Sequence, residues 1–476
     1  MSSVQKFEQT KAAILLTLQA TPESQYATTL PPVGVAAVPP SNLDPSIYVT
    51  YSVQSGDTLS VVAARFGIDP NLIQSSTAVS AHGLLPIGLV LGIPRSTDPL
   101  PNSKHLLNDS EVVNAPCAHD FDLSGYIANA DGWLNIYHQQ VNTQDLSGAE
   151  IVQLVAENTS VNPRFLLAFI EYRSGGVLGF FGNVDNPYPL EMETPNYKGL
   201  YLELSLAAKL INIGYYGWRQ GNQLDLPFQD GSSGRIDPQL NPGSVGVQYL
   251  FARLYPQLKW EDALYGPQGF LETYHSMFGD ANPCSAENAV MFSDNVEQPE
   301  LELPFAAGEP WALTGGLHND WNTGTPMGAL DFAPITGEKA CSVSSAWVRA
   351  SADGIVSRVG DGVLTLSLVD ENADPTGWEL LYMHIAQKDR IPQGTLVHTD
   401  APLGHPSCEG GSATGTHVHI ARLYHGEWIG AGDPFPFVLS GWMAMPGEKP
   451  FLSSLIKGEQ IVDAKPDGSA HSTIIR

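Results

Sequence analysis

Positive charge is what this chain has least of: 23 Lys and Arg stand against 50 Asp and Glu, a formal net charge of −27 over 476 residues. Phosphate-rich partners are neutralised by clusters of Lys and Arg, so the deficit argues against nucleic acid and against an anionic lipid surface. Long apolar runs are missing as well. No stretch approaches the roughly 18 apolar residues that a membrane span needs. The short apolar segment behind Lys11 lacks a small-x-small cleavage signal, so it reads as either a signal peptide or an amphipathic fragment. Cysteine is scarce, at four residues. Cys117 and Cys284 flank the middle of the chain, while Cys341 and Cys408 lie in its last third. That placement suggests bridges 117–284 and 341–408 in an oxidising, extracytoplasmic compartment; the alternative is four ordinary buried thiols.

What is present bounds the answer from the other side. An apolar fraction of 43% excludes wholesale disorder, and the length suggests about three domains at roughly 150 residues each. Residues 1–47 read as a leader followed by a Pro- and Ala-rich linker. At Tyr48 the character changes. Tyr48-Val-Thr-Tyr-Ser-Val alternates like a strand, Ser55-Gly56-Asp57 marks a turn and helix start, and Leu59, Val62, Ala63 and Phe66 follow with helical spacing up to Gly67. Asp69-Pro70 predicts a second helix, and the run to Pro94 a closing strand.

This β-α-α-β segment, 48–95, resembles a lysin motif (LysM) domain. It matches the pattern Y-x-V-x-x-G-D-T-L, A-x-x-F-G and L-x-x-G-x-x-L-x-I-P. The resemblance implies binding of N-acetylglucosamine-containing glycan at Gly56, Asp57, Thr58 and Leu59 and at Leu84 and Ile87. On the residues alone, Gly56 makes the turn and Asp57 or Thr58 caps the helix.

Residues 96–295 read as a mainly α-helical middle domain. Ser147-Gly-Ala-Glu150 is a capping box, Asn162-Pro163 starts a helix toward Tyr172, and further helices are expected over 201–213 and 245–255. The apolar helix ending in Glu171 faintly resembles the catalytic helix of lysozyme-like transglycosylases. That likeness implies Glu171 as a glycosidase acid held in apolar surroundings, although Tyr172 and Arg173 follow where that family has Ser; the other reading of the segment is a helical spacer.

The last third, 296–476, carries the chemistry. Short alternating strands broken at Asp353-Gly354, Gly360-Asp-Gly362 and Pro392-Gln-Gly394 predict an antiparallel all-β domain behind an acidic connector. Polar residues stand inside apolar strands at Asp331 and His384, and His417 and His419 are two apart, which places both on one strand face. Two imidazoles facing one way repel if both are protonated, whereas neutral imidazoles with a carboxylate suit zinc and leave a fourth position for water.

With His318, this set resembles the lysostaphin-type zinc endopeptidases of peptidoglycan. The resemblance implies one Zn²⁺ per chain on His318, Asp331 and His419, with His384 and His417 catalytic. The 13 positions from His318 to Asp331 are similar to the beta-lytic and staphylolysin branch, which tends to carry a disulfide near the paired histidines and so suits Cys341 with Cys408. Tyr382 is expected on the strand face of His384; His398, His405 and His425 are expected at exposed loops or strand edges. The expectation is a monomeric, extracellular or wall-associated hydrolase that cuts peptidoglycan peptide cross-links. Alternatives are a metal-free scaffold or activator, and a bifunctional lysin with a glycan-cleaving middle domain.

Overall fold

The computed structural model describes residues 44–95, 103–179, 186–279, 282–285, 290–293, 296–468 and 470–476. The apolar segment behind Lys11 and nearly all of the expected leader and linker lie outside these residues. The described residues divide into two compact units, one of residues up to 296 together with 322–325 and one built from residues 297–321 and 326–476.

The first unit opens with a three-stranded antiparallel sheet in the order β1 (Tyr48–Ser52), β3 (Val90–Pro94), β2 (Gln74–Ser75), with helix α1 (Leu59–Phe66) after β1. Helix α1 starts where Thr58 accepts the Val61 amide and stops at Gly67, whose φ of 68° is left-handed and favours glycine. The second expected helix starts at Asp69-Pro70 and is a single 3-10 turn. Asp69 caps only the 3-10 turn Pro70–Leu72, after which Ile73 turns extended and enters the small core beside Tyr51, Leu59, Val62 and Leu91. Burying Ile73 there requires the chain to leave the helix after one turn.

The rest of this unit is mainly helical: α2 (Gly148–Thr159), α3 (Pro163–Ser174), α4 (Leu200–Arg219), α5 (Pro242–Leu254) and α6 (Phe270–Phe278), with further helices, among them Gln257–Tyr265, and two hairpins. The Ser147–Glu150 capping box starts α2, and Asn162 caps α3 with Pro163 in its first position. Every α3 residue from Pro163 to Ile170 is buried, which makes it the central helix. Cys117 and Cys284 are bonded.

The second unit is built on one antiparallel sheet. Its strands are β4 (Pro310–Asn319), β5 (Met327–Pro334), β6 (Gly354–Val359), β7 (Val363–Val369), β8 (Pro375–Met383), β9 (Leu396–Val397) and β10 (Val418–Tyr424), closed at the β4 edge by residues Thr473–Ile475. Their order in space is β9-β6-β7-β8-β10-β5-β4. A smaller sheet holds β11 (Trp442–Lys449), β12 (Leu452–Lys457) and β13 (Gln460–Asp463). Cys341 and Cys408 are bonded. The connector packs inward: Leu301, Leu303, Pro304 and Phe305 are buried, and Phe305 stacks on Trp311 at 5.0 Å.

Candidate metal centre

Strand register assembles the site. Asp331 on β5 is directly opposite both Gly315 on β4 and His419 on β10, while Met383, the last residue of β8, pairs with His419. His318 lies three residues beyond Gly315 on β4, past register shifts in that pairing. A Cβ at Gly315 would lie 2.3 Å from Asp331 Oδ2, so only glycine admits the carboxylate there.

His318, Asp331 and His419 each offer one ligand atom, all within 4.8 Å of one another and all buried. His318 Nε2 lies 3.0 Å from His419 Nδ1, and Asp331 Oδ1 lies 3.3 and 3.2 Å from those two nitrogens. The outer ring atoms fix the tautomers. A carbonyl oxygen can only accept, so His318 Nδ1 donates to Gly316 O at 2.8 Å and His419 Nε2 donates to Asp320 O at 2.7 Å. The two inward nitrogens of the neutral rings are therefore lone pairs, facing each other and a carboxylate.

Such a point favours positive charge. Burial pushes the Asp331 carboxyl up, but His318 and His419 outweigh it and hold the group well below the ordinary carboxylate range. Burial likewise works against a charged His318, and Asp331 and the Gly316 carbonyl overcome it and raise its pKa. For His419 burial prevails and lowers the pKa. Two imidazole nitrogens, one carboxylate oxygen and ring N–H groups tied to backbone carbonyls are the donor set of a zinc site with an open fourth position. The residues fit the ion.

His417 and His384 stand beside this set. His417 Nε2 is 3.8 Å from Asp331 Oδ1, and its Nδ1 donates to Gly415 O at 2.8 Å. The His384 ring lies 4.4 Å from that of His417, with Nδ1 donating to Glu409 O at 3.1 Å. Burial, reinforced by His417 and His419, pushes the His384 pKa down to about 4. Its backbone has left β8 for the left-handed region at φ 64°, a conformation that costs a non-glycine residue energy and is concentrated at functional sites.

That turn breaks the alternation that would place Tyr382 on the same face. Tyr382 is fully buried, its hydroxyl accepts the Ser351 amide at 2.9 Å, and burial raises its pKa to about 12. It takes no part in the site. His405 is buried rather than exposed, tilted against Trp347 with Nδ1 donating to Ala346 O, and His425 stacks half-buried on Tyr424. His398 is exposed and pairs with Asp353.

Sequence reasoning missed the carbonyls of Gly316, Asp320, Gly415 and Glu409 and the ring of Phe451, which stacks on His318 at 4.2 Å. The Gly-Gly pair at 315–316 was the one visible signal of that crowding.

The first-loop LysM residues are placed differently. Asp57 is fully buried, with Oδ1 paired to Arg65 Nη1 at 2.8 Å and Oδ2 accepting from Tyr51 OH and the Gln54 amide. Thr58 is the buried cap of α1, and Leu59 lies in the core. Gly56 faces Arg219, which donates to Ser55 O and pairs with Asp109 at 2.9 Å. Arg65 donates onward to Trp218 O. Of the six expected glycan residues only Ile87 is well exposed, with Leu84 half-buried.

Glu171 sits on the last turn of α3, and its Oε2 accepts the amides of Val177 and Leu178, both at 2.9 Å. The carboxylate thus closes the turn that follows α3.

Two domain families match the chain: LasA, N-terminal domain, over residues 105–290, and LysM domain over residues 51–94. Protease LasA from two strains of Pseudomonas aeruginosa aligns over 359 residues, 69% of this chain and 76% of the relative, at 30% and 24% identity. Among solved structures, the M23 metalloprotease pseudoalterin from the deep sea is 20% identical with a TM-score of 0.32, over 38% of this chain and 99% of that one. The catalytic domain of lysostaphin from Staphylococcus simulans is 18% identical with a TM-score of 0.19, over 27% and 89%.

Proposed function

This chain belongs to the family of the LasA proteases, and we propose on that basis that it hydrolyses peptide cross-links of peptidoglycan at a single zinc ion held by His318, Asp331 and His419. The observation that carries the reading is the pair of inward imidazole nitrogens, 3.0 Å apart with a carboxylate beside them, while the other nitrogen of each ring is committed to a backbone carbonyl. Bound there, zinc supplies Lewis-acid polarisation of a peptide carbonyl and a water acidic enough to attack near neutral pH.

The remaining steps fall to the protein. His417 presents Nε2 toward the cluster, because its Nδ1 proton is committed to Gly415 O; that lone pair accepts the proton of the attacking water and returns it to the amine that leaves. His384 is neutral at pH 7, with Nδ1–H on Glu409 O. Its ring, 4.4 Å from that of His417, would border the reacting carbonyl and help to orient it. The left-handed backbone at His384, pinned by two hydrogen bonds from Ser407 to its carbonyl, fixes the ring in place.

Two disulfides support an oxidising compartment outside the cytoplasm. No helix among the described residues is long and apolar enough to cross a membrane. The LysM domain directs the chain to the glycan of the same polymer. Because the net charge is −27, contact with walls that carry anionic polymers rests on uncharged groups, and added salt leaves wall binding unchanged or strengthens it.

Digestion of muropeptides of known cross-link chemistry tests the reading. Product masses should show addition of one water at a peptide bond, abolished by chelator and restored by zinc. Products cut only in the glycan would contradict it.

A further inference from the structure

Phe451 is an unusual residue to find at the tip of an exposed hairpin. It joins β11 to β12, adopts φ 66°, and leaves 45% of its surface exposed. A left-handed backbone is costly for a bulky side chain, and an exposed ring contributes little to a core. The two-residue turn Pro450–Phe451 between the paired Lys449 and Leu452 calls for the positive φ, but it would be met at less cost by glycine, and the exposed ring does nothing for the hairpin.

The neighbours of the ring supply the reason. Phe451 stacks on the His318 imidazole with ring centroids 4.2 Å apart and planes 21° from parallel, while His419 meets the same imidazole edge-on at 4.9 Å. The backbone is tied to the same strand segment: Gly316 N donates to Phe451 O at 2.9 Å, and Phe451 N donates to Leu317 O at 3.0 Å. One residue further on, Leu317 N donates to Ser453 Oγ at 2.6 Å, and a Cβ at Gly316 would meet the Ser453 amide at 2.5 Å. The hairpin thus grips residues 316–318, and the Gly316 carbonyl that fixes the His318 tautomer lies within the gripped segment.

We propose that Phe451 is a positioning residue of the metal centre, holding the His318 ring in its ligating orientation and shielding its outer face from water. The inference rests on the reading of His318 as a ligand. The flat face of a benzene ring carries negative electrostatic potential, so it also favours the positive charge that His318 acquires when it coordinates a cation. Hydrogen-bonded partners one step outside the ligands typically alter metal affinity by about 10–100-fold when removed, and that range sets the scale for the loss of this ring.

The left-handed backbone provides the test. Glycine takes φ 66° without strain, so Phe451→Gly deletes the ring while relaxing the chain. Zinc affinity of the full chain is measured by competition with a chromophoric chelator, alongside the melting temperature of the metal-free protein. Phe451→Gly should bind zinc about 10–100-fold more weakly and melt no lower than the wild type. Phe451→Tyr, which keeps a flat ring, should bind as the wild type does. Phe451→Leu, apolar but not flat, should fall between them. Wild-type affinity in Phe451→Gly would overturn the inference, and so would a drop in metal-free melting temperature that accounts for the weaker binding. A wild-type chain that takes up no zinc would overturn the metal assignment itself, and this inference with it.

Discussion

The sequence offers two regions as ligand sites, the histidine set of the second unit on its residues and the Gly56–Leu59 loop of the LysM domain on a resemblance alone, and the fold treats them in opposite ways. In the first, each imidazole ties one nitrogen to a backbone carbonyl and turns the other inward, so that three donor atoms converge on one another. In the second, the fold uses every polar atom it can. Asp57 accepts from Arg65, Tyr51 and Gln54, Thr58 caps a helix, and Leu59 is core. Residue type and spacing mark where chemistry is possible. Whether a side chain is available for it depends on what remains after the fold's own hydrogen bonds are made.

The sharpest way to break that contrast is to substitute within each region and ask whether function or folding responds. His417→Ala should lower peptide cleavage by about 10²–10⁴-fold with zinc retained, whereas His419→Ala should lose the zinc; kcat/KM and metal content report the two. Asp57→Ala leaves the Arg65 guanidinium buried without its partner, and denaturant unfolding should show a loss of about 3–5 kcal/mol. Unchanged stability together with lost glycan binding would put Asp57 in a groove and erase the contrast. On the exposed side of the LysM domain, Ile87→Ser should weaken binding of N-acetylglucosamine oligomers by about fivefold or more at an unchanged melting temperature. Equal binding by the variant would move glycan contact elsewhere.

The smallest effect concerns pH. His384 has a folded pKa of about 4 against an ordinary 6.5. The folded protein therefore keeps this ring neutral, and protonation favours the unfolded chain. Its contribution to stability is complete above about 6.5 and is lost as pH falls through about 4. In metal-free protein His384→Gln should flatten that part of the stability curve, a dependence with no counterpart at Asp57.

Much of this was legible without coordinates because the signals are local. A period of two put His417 and His419 on one side of the site, and both indeed approach Asp331. The caps at Ser147 and Asn162 announced α2 and α3. The misses are non-local. Asp69-Pro70 is a sound helix start, yet the core's demand for Ile73 ends the turn at once. The Phe451 stack joins residues more than a hundred positions apart, and burial of Asp57 depends on Arg65 packing at Trp218. The left-handed turn at His384 follows a strand whose pattern gives no hint of it. Periodicity carries no information about where distant carbonyls and rings will stand.

The account's central claim is that two imidazoles and a carboxylate hold one catalytic metal. Metal analysis of the purified chain, paired with cleavage of cross-linked muropeptides before and after chelation, tests it most directly. The account predicts one zinc per wild-type chain, none in His419→Ala, and cleavage that disappears with the zinc and returns on its replacement. A metal-free wild-type chain, or cleavage indifferent to chelator, would contradict it.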